Sequence, residues 1–160
     1  MRIFSVFFFA GLLLTACGNP GSPEGVCDKL SSFHELSPEK LQDRCIGPFT
    51  KYQVKAPVAW EALAEVFGEA KTKKQMDAIF ASAMSSGDPL GIKECDRYMF
   101  RSVACFKLMT GDKEAAAVMS KALKTSMRSW RELAATEAGK AGLTETCKTA
   151  ETTLLLTCSW

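Results

Sequence analysis

Apolar and polar residues alternate with the period of an α-helix along most of the chain. Trp60, Leu63 and Phe67, for example, recur three or four positions apart and form one apolar helix face. Helices are predicted over residues 26–32, 38–46, 55–67, 73–84, 92–109, 113–138 and 143–158. No alternation longer than a few residues favours a strand. The pattern therefore predicts an all-α bundle of about six to seven helices.

Local breakers predict where the helices begin and end. Ser37 followed by Pro38 is typical of a helix start, and Gly47-Pro48 is expected to end that helix. Residues 139–142 begin and end with glycine and are expected to separate the last two helices.

The clearest linker is SSGDPLG at residues 85–91. It is expected to separate an N-terminal helical part, 26–84, from a C-terminal three-helix part, 92–160. These lengths suit one domain, or two small domains that share an interface.

The N-terminus carries a targeting signal. Arg2 precedes an apolar run over residues 3–14, which is shorter than the roughly 20 residues of a membrane-spanning helix. The run ends in Leu14-Thr15-Ala16-Cys17, which resembles the lipobox of bacterial lipoproteins. The resemblance implies that residues 1–16 are a signal peptide and that Cys17 becomes the acylated first residue. A plain signal peptide with a chance cysteine is the alternative.

The lipobox resemblance also implies an address. Residues 17–25 are expected to form the lipidated cysteine and a short tether rich in Gly, Pro and Ser. Gly18, rather than an aspartate, follows Cys17, and this favours the outer membrane over the inner one, which stays possible. More than one acyl chain would hold the protein stably to its membrane.

The charge balance argues against nucleic acid as a partner. The chain has 20 Lys and Arg against 18 Asp and Glu, and only Arg2 is lost with residues 1–16. A nucleic-acid binder is expected to carry a clear basic excess.

Six cysteines besides Cys17 suggest three disulfides in an exported chain. Nine residues separate Cys95 from Cys105, and ten separate Cys147 from Cys158. Each spacing is about three helical turns, so both thiols of a pair lie on one side of their helix. Zinc is disfavoured because the chain has no C-x2-C pair and one histidine.

Topology predicts the pairing. Short connections make consecutive helices antiparallel, so the first and third helices of the C-terminal part run parallel. Parallel helices pair start with start, which predicts Cys95–Cys147 and Cys105–Cys158, and leaves Cys27 with Cys45. A two-helix hairpin, as in twin C-x9-C proteins, would pair Cys95 with Cys158; the long middle helix disfavours it.

The C-terminal part resembles a known group. It contains Glu94-Cys95-Asp96-x-Tyr98, Cys105, Trp130, Cys147 and Cys158. This pattern is similar to small cysteine-rich α-helical lipoproteins of the myxobacterial type. The resemblance implies a fold and a location; it brings no catalytic residues.

A basic strip is the main candidate contact surface. Lys121, Lys124, Arg128 and Arg131 share one face of the predicted helix 113–138, opposite Met119, Leu123, Trp130 and Leu133. The strip suits anionic lipid headgroups or an acidic partner, while an ordinary solvated face is the alternative.

Other chemistry finds little support. The helical spacing of Met76, Met84, Met99, Met109, Met119 and Met127 favours core packing over a groove or copper site. His34 is the single histidine, and Glu94 and Asp96 diverge on a helix. Catalytic, metal and cofactor sites are therefore not expected.

Together these features favour a non-catalytic, membrane-anchored envelope lipoprotein that presents a rigid domain to a protein or envelope partner. The alternative is a small-ligand-binding lipoprotein with a pocket between the two helical parts, near Trp60 and Phe100.

Overall fold

The computed structural model of the protein describes residues 19–85, 87–111 and 113–158. Over these residues the chain is helical and contains no strand, which confirms the all-α prediction. The elements are α1 Pro23–Phe33, α2 Pro38–Leu41, a π-helix Gln42–Ile46, α3 Gly47–Lys55, α4 Pro57–Glu69, α5 Lys73–Ser85, α6 Lys93–Thr110, α7 Lys113–Leu133 and α8 Glu137–Thr157. Counted with 38–55 as one continuous helix, the described residues form seven helices.

The helix α1 begins three residues earlier than expected. The Ser22 hydroxyl accepts a hydrogen bond from the Gly25 amide, and Pro23 occupies the first turn, where its missing N–H costs nothing. Residues 23–25, assigned to the tether, are therefore helical. The folded domain begins close to Cys17, which itself lies outside the described residues.

The expected break at Gly47-Pro48 is absent. The chain stays helical from 38 to 55, and the Gly47 amide donates to the Gln42 carbonyl, five residues back. The wider turn of the π-helix replaces the ordinary bonding pattern just before Pro48, which has no N–H to donate. The proline is thus accommodated near the start of α3 rather than ending the helix.

The predicted boundary at residues 139–142 between the last two helices is also wrong. The chain turns at residues 134–136, and Thr136 caps α8 by accepting a hydrogen bond from the Gly139 amide. A side chain at position 139 would place its Cβ 1.9 Å from the Leu133 carbonyl oxygen. Gly139 is therefore needed for close approach at a tight reversal, and it does not break the helix.

The main core joins both parts of the sequence. Phe49 packs against Trp60, Phe67 and Phe80, with ring centroids 5.3–5.7 Å apart. Phe100 of α6 is buried in the same cluster. Residues 85–91 are thus a connection inside one packed unit, since α6 lies directly on α4 and α5.

Three disulfides staple the helices in the predicted pairs. Cys27 bonds Cys45, Cys95 bonds Cys147 and Cys105 bonds Cys158. The last two bonds join start with start and end with end, so α6 and α8 run parallel. Each bond is expected to contribute about 3 kcal/mol by restricting the unfolded chain.

A row of ion pairs fixes α6 between α4 and α8. We call it the ion ladder; its members are Glu61, Glu65 and Glu69 of α4, Lys93, Arg97 and Arg101 of α6, and Glu151 of α8. The acidic and basic rows each have a spacing of four residues and match in order. The helices α4 and α6 therefore run parallel.

Glu151 is the buried centre of the ion ladder. Its carboxylate accepts hydrogen bonds from Arg97 Nε at 2.8 Å and from Arg101 Nη1 at 2.7 Å. Only 4% of Glu151 and 5% of Arg101 are exposed. Hydrogen bonds from the Arg97 guanidinium to Glu151, and then to Glu65, raise the pKa of Arg97 above its usual value.

We expect Glu151→Gln to lower the free energy of unfolding by about 3 kcal/mol, because it removes the buried carboxylate that Arg97 and Arg101 share and leaves each guanidinium with one carboxylate of α4. Urea denaturation followed by circular dichroism measures this change. The matched control is Glu145→Gln on the exposed side of α8, which is expected to leave stability nearly unchanged. Equal stability of the two variants would contradict the central role of Glu151.

Candidate functional site

A cleft between α5, α6 and α7 is the candidate site. Its volume is about 410 Å³, and it lies between the N-terminal and C-terminal parts of the sequence. Ala81, Val103 and Ala117 contribute apolar surface to its walls. Three lysines complete the lining together with Ser85 and Ser120: Lys107, Lys121 and Lys124. The cleft therefore combines apolar walls with positive charge.

Local contacts hold the walls of the cleft in place. The Ser120 hydroxyl of α7 donates to the Ser85 carbonyl at the end of α5, at 3.0 Å. Cys105 lies on α6 between Val103 and Lys107. Its disulfide with Cys158 ties this part of α6 to the end of α8. One wall is thus covalently anchored, and another is hydrogen-bonded.

The cleft carries charge without acidic partners. Across the described part of the chain, none of the three cleft lysines takes part in an ion pair. Unpaired ammonium groups beside an apolar wall suit a ligand with an acidic head and an apolar body.

The basic strip is divided by the fold. Lys121 and Lys124 line the cleft, Arg128 is exposed, and Arg131 donates to the Asp88 carbonyl at 2.6 Å. Arg131 thus has a role in holding the connection between α5 and α6. Sequence periodicity could place the four residues on one face but could not predict this neighbouring segment.

The inward face of α7 matches the predicted apolar face only in part. Trp130 packs against the cluster around Cys95 and Cys147, but Ser120 and Met127 are buried and Leu133 is exposed. The strip therefore lies beside the inward face rather than opposite it. Periodicity alone does not place Ser120 inward, because that position depends on its contact with the end of α5.

A second cavity of about 260 Å³ lies beside α3. Pro48, Phe49, Tyr52 and Met84 are among its lining residues. The Tyr52 hydroxyl is buried and has no hydrogen-bond partner among the described residues. Burial, followed by the charges of Asp96 and Asp88, raises the pKa of Tyr52 to about 12. The hydroxyl is therefore un-ionised at physiological pH.

Asp96 is a buried carboxylate with a structural role that helical periodicity does not reveal. It accepts hydrogen bonds from the amides of Leu90 at 2.7 Å and Gly91 at 3.0 Å. Burial raises the pKa of Asp96 to about 6, against the opposing effect of these hydrogen bonds and of Arg131. Asp96 thus fixes the end of the connection between α5 and α6.

The remaining candidates have ordinary environments. Met76, Met99 and Met127 are buried as expected, but Met84 and Met109 are exposed, so the methionines do not all pack in the core. His34 Nε2 lies 2.7 Å from an Asp77 carboxylate oxygen. Among the residues that the structure describes, no cluster of three or more His, Cys, Asp or Glu side chains is arranged to hold a metal ion.

Trp60 and Phe100 do not line the cleft. Both are buried in the main core, and Trp60 Nε1 donates to the Gly21 carbonyl at 2.8 Å. The cleft between the two parts lies at another place, on the α7 side of α5 and α6.

Comparisons of the chain with known protein families, with curated proteins and with solved structures found no match. Within the described ranges, no helix is both long enough and apolar enough to span a membrane.

We expect Asp96 to make stability depend on pH. Its pKa of about 6 in the folded protein exceeds the usual 3.8, so the folded state binds a proton between these values that the unfolded state lacks. The stabilisation that comes from this bound proton is therefore fully present below about pH 4 and is lost as the pH rises through about 6. In urea titrations, the gain in stability from pH 7 to pH 4 should be about 2 kcal/mol larger for the native protein than for Asp96→Asn.

The exposed neighbour Asp88 provides the control for this measurement. Asp88→Asn is expected to keep the pH dependence of the native protein. A native-like pH dependence in Asp96→Asn would contradict the assignment.

Proposed function

We propose that the protein is a non-catalytic envelope lipoprotein, anchored through acylated Cys17, that presents a rigid helical domain to a protein or envelope partner. The observation that carries the proposal is the sequence Leu14-Thr15-Ala16-Cys17 placed a few residues before a disulfide-stapled domain. Residues 1–16 are the signal peptide in this proposal.

The use of the cysteines supports both export and a binding role. Disulfides form and persist in oxidising compartments outside the cytosol. Every cysteine of the described residues is in a disulfide. These cysteines therefore supply staples, and none of them remains as a thiol for nucleophilic or redox chemistry.

We include in this proposal that the C-terminal part is similar to small cysteine-rich α-helical lipoproteins of the myxobacterial type. Gly18 after Cys17 favours the outer membrane, with the inner membrane as the other outcome of fractionation. The partner is a protein or another envelope component, and nucleic acid is not part of the proposal because the charge is nearly balanced.

Metabolic labelling with an alkyne fatty acid in a bacterial host tests the anchor. The native chain is expected to incorporate the label, to begin at Cys17 and to fractionate with membranes. Cys17→Ser is expected to lose the label and the membrane association. A density gradient then separates inner from outer membranes.

The control for this experiment is Cys27→Ser/Cys45→Ser, which removes a disulfide and keeps Cys17. It is expected to incorporate the label. A native chain without label, or with a different first residue, would refute the anchor.

The cleft supports a second function, the binding of a small amphiphilic anion. The specific observation is the set of unpaired lysines beside Ala81, Val103 and Ala117. The volume of about 410 Å³ lies in the range of small-molecule sites.

Anilinonaphthalene sulfonate is a suitable probe because it joins an apolar ring system to an anionic group. We expect it to bind the chain from residue 19 onward, which contains all three disulfides and the described core. Lys107→Gln/Lys121→Gln/Lys124→Gln should weaken binding at least tenfold, as measured by fluorescence titration. The control Lys71→Gln/Lys73→Gln/Lys74→Gln removes three exposed lysines elsewhere, and equal weakening in both variants would rule out the cleft.

A further inference from the structure

The N-terminal segment is attached to one particular end of the domain. Trp60 near the start of α4 donates its indole N–H to the Gly21 carbonyl at 2.8 Å. Further along, Lys29 Nζ donates to the Phe67 and Gly68 carbonyls near the end of α4. The helices α1 and α4 therefore run parallel, and the chain enters the domain at the N-terminal end of α4.

The distance from the anchor to this end is short. Gly21 follows Cys17 by four positions, and an extended chain spans at most about 3.6 Å per position, or about 14 Å in all. Gly21 is fixed by its bond to buried Trp60. An acyl chain on Cys17 would therefore hold the N-terminal end of α4 close to the headgroups.

Exposed apolar side chains lie at the same end of the domain. Val54 is 80% exposed at the end of α3, and Val58 is 38% exposed at the start of α4. Ala56 joins the two helices between them. We call the surface formed by residues 51–58 the α3–α4 corner.

Lysines accompany these valines. Lys51 and Lys55 are both exposed at the corner. Lys55 Nζ lies 3.7 Å from an Asp88 carboxylate oxygen. Both side chains are largely exposed, so this ion pair restrains the lysine only weakly. Long basic side chains beside apolar ones suit the boundary between acyl chains and headgroup phosphates.

We propose that the α3–α4 corner is the membrane-facing surface of the anchored protein and that it rests on a phospholipid bilayer. Val54 and Val58 contact the acyl–headgroup boundary, and Lys51 and Lys55 contact the phosphates. The proposal rests on the acylation of Cys17 given above. The other end of the domain, at the C-termini of α4, α6 and α8, then faces away from the bilayer.

The opposite end supplies internal controls. The 13 residues of α4 span about 20 Å, and Lys71, Lys73 and Lys74 are exposed beyond its C-terminus. Leu155 and Leu156 are exposed near the C-terminus of α8, which runs parallel to α6 and α4. One molecule thus carries lysines and apolar side chains at both ends.

Amine labelling of the lipidated protein on vesicles tests the proposal. The mature protein is added to preformed vesicles of phosphatidylcholine and phosphatidylglycerol, and an impermeant amine-reactive ester is applied. Mass spectrometry measures the reactivity of Lys51 and Lys55 relative to Lys71, Lys73 and Lys74. This ratio should be at least threefold lower on vesicles than after detergent release.

Paired variants separate the surface from the anchor. Val54→Asp/Val58→Asp is expected to raise the ratio towards its detergent value, while the protein still sediments with vesicles through its lipid. Leu155→Asp/Leu156→Asp is expected to keep the low ratio of the native protein.

Two results would overturn the proposal, and they are distinguishable. If Cys17 carries an acyl chain and the protein sediments, but the ratio does not fall or the far lysines are protected instead, the corner is not the membrane surface. If mass spectrometry finds no acyl chain on Cys17, the proposed anchor fails, and the corner fails with it.

Discussion

The parallel register of α6 with α4 and α8 is the constraint on which the rest of the domain depends. On one side, the ion ladder matches three acidic residues of α4 with three basic residues of α6. On the other, two disulfides and the buried Glu151 attach α8. A shift of α6 by one helical turn would break the disulfide geometry and the contacts of Glu151, whereas the acidic and basic rows, with their equal spacing of four residues, would still pair at two of three positions. A buried ion pair adds little net stability, but a broken one is costly, so the buried Glu151 acts mainly by excluding other registers of α6 and α8.

This register has consequences at both faces of α6. With α6 held, its apolar side places Phe100 in the aromatic core of the first part of the sequence. The cleft lies on the other side of α6, beneath α7. The short side chains of Ala81 and Ala117 do not fill the space between the helices there. The cleft is therefore a product of how three helices meet, and its lysines come from two of them.

Direction matters as much as register. Because α1, α4, α6 and α8 run parallel, the ends of the domain differ in character. The chain enters at one end, beside Trp60, where exposed valines and lysines lie together. At the other end, the last turns of α8 and α6 expose a different apolar set. Under the anchoring that we propose, one end would lie at the membrane and the other would be free for a partner.

The sequence by itself determined the helical class, most helix positions and the three disulfide pairs, because helical period and cysteine spacing are local quantities. It also contained the rows Glu61–Glu65–Glu69 and Lys93–Arg97–Arg101, whose shared spacing of four could have signalled the ladder. It could not show that Glu151 closes the ladder, that Asp96 binds the amides before α6, or that Arg131 turns to the connecting segment. The inward face of α7 and the tolerance of Pro48 were likewise decided only in the tertiary structure. Glu151 and Arg131 depend on partners distant in sequence, Pro48 on a local distortion of the helix, and Asp96 on the path of the segment just before its helix; none of these leaves a periodic trace in the chain.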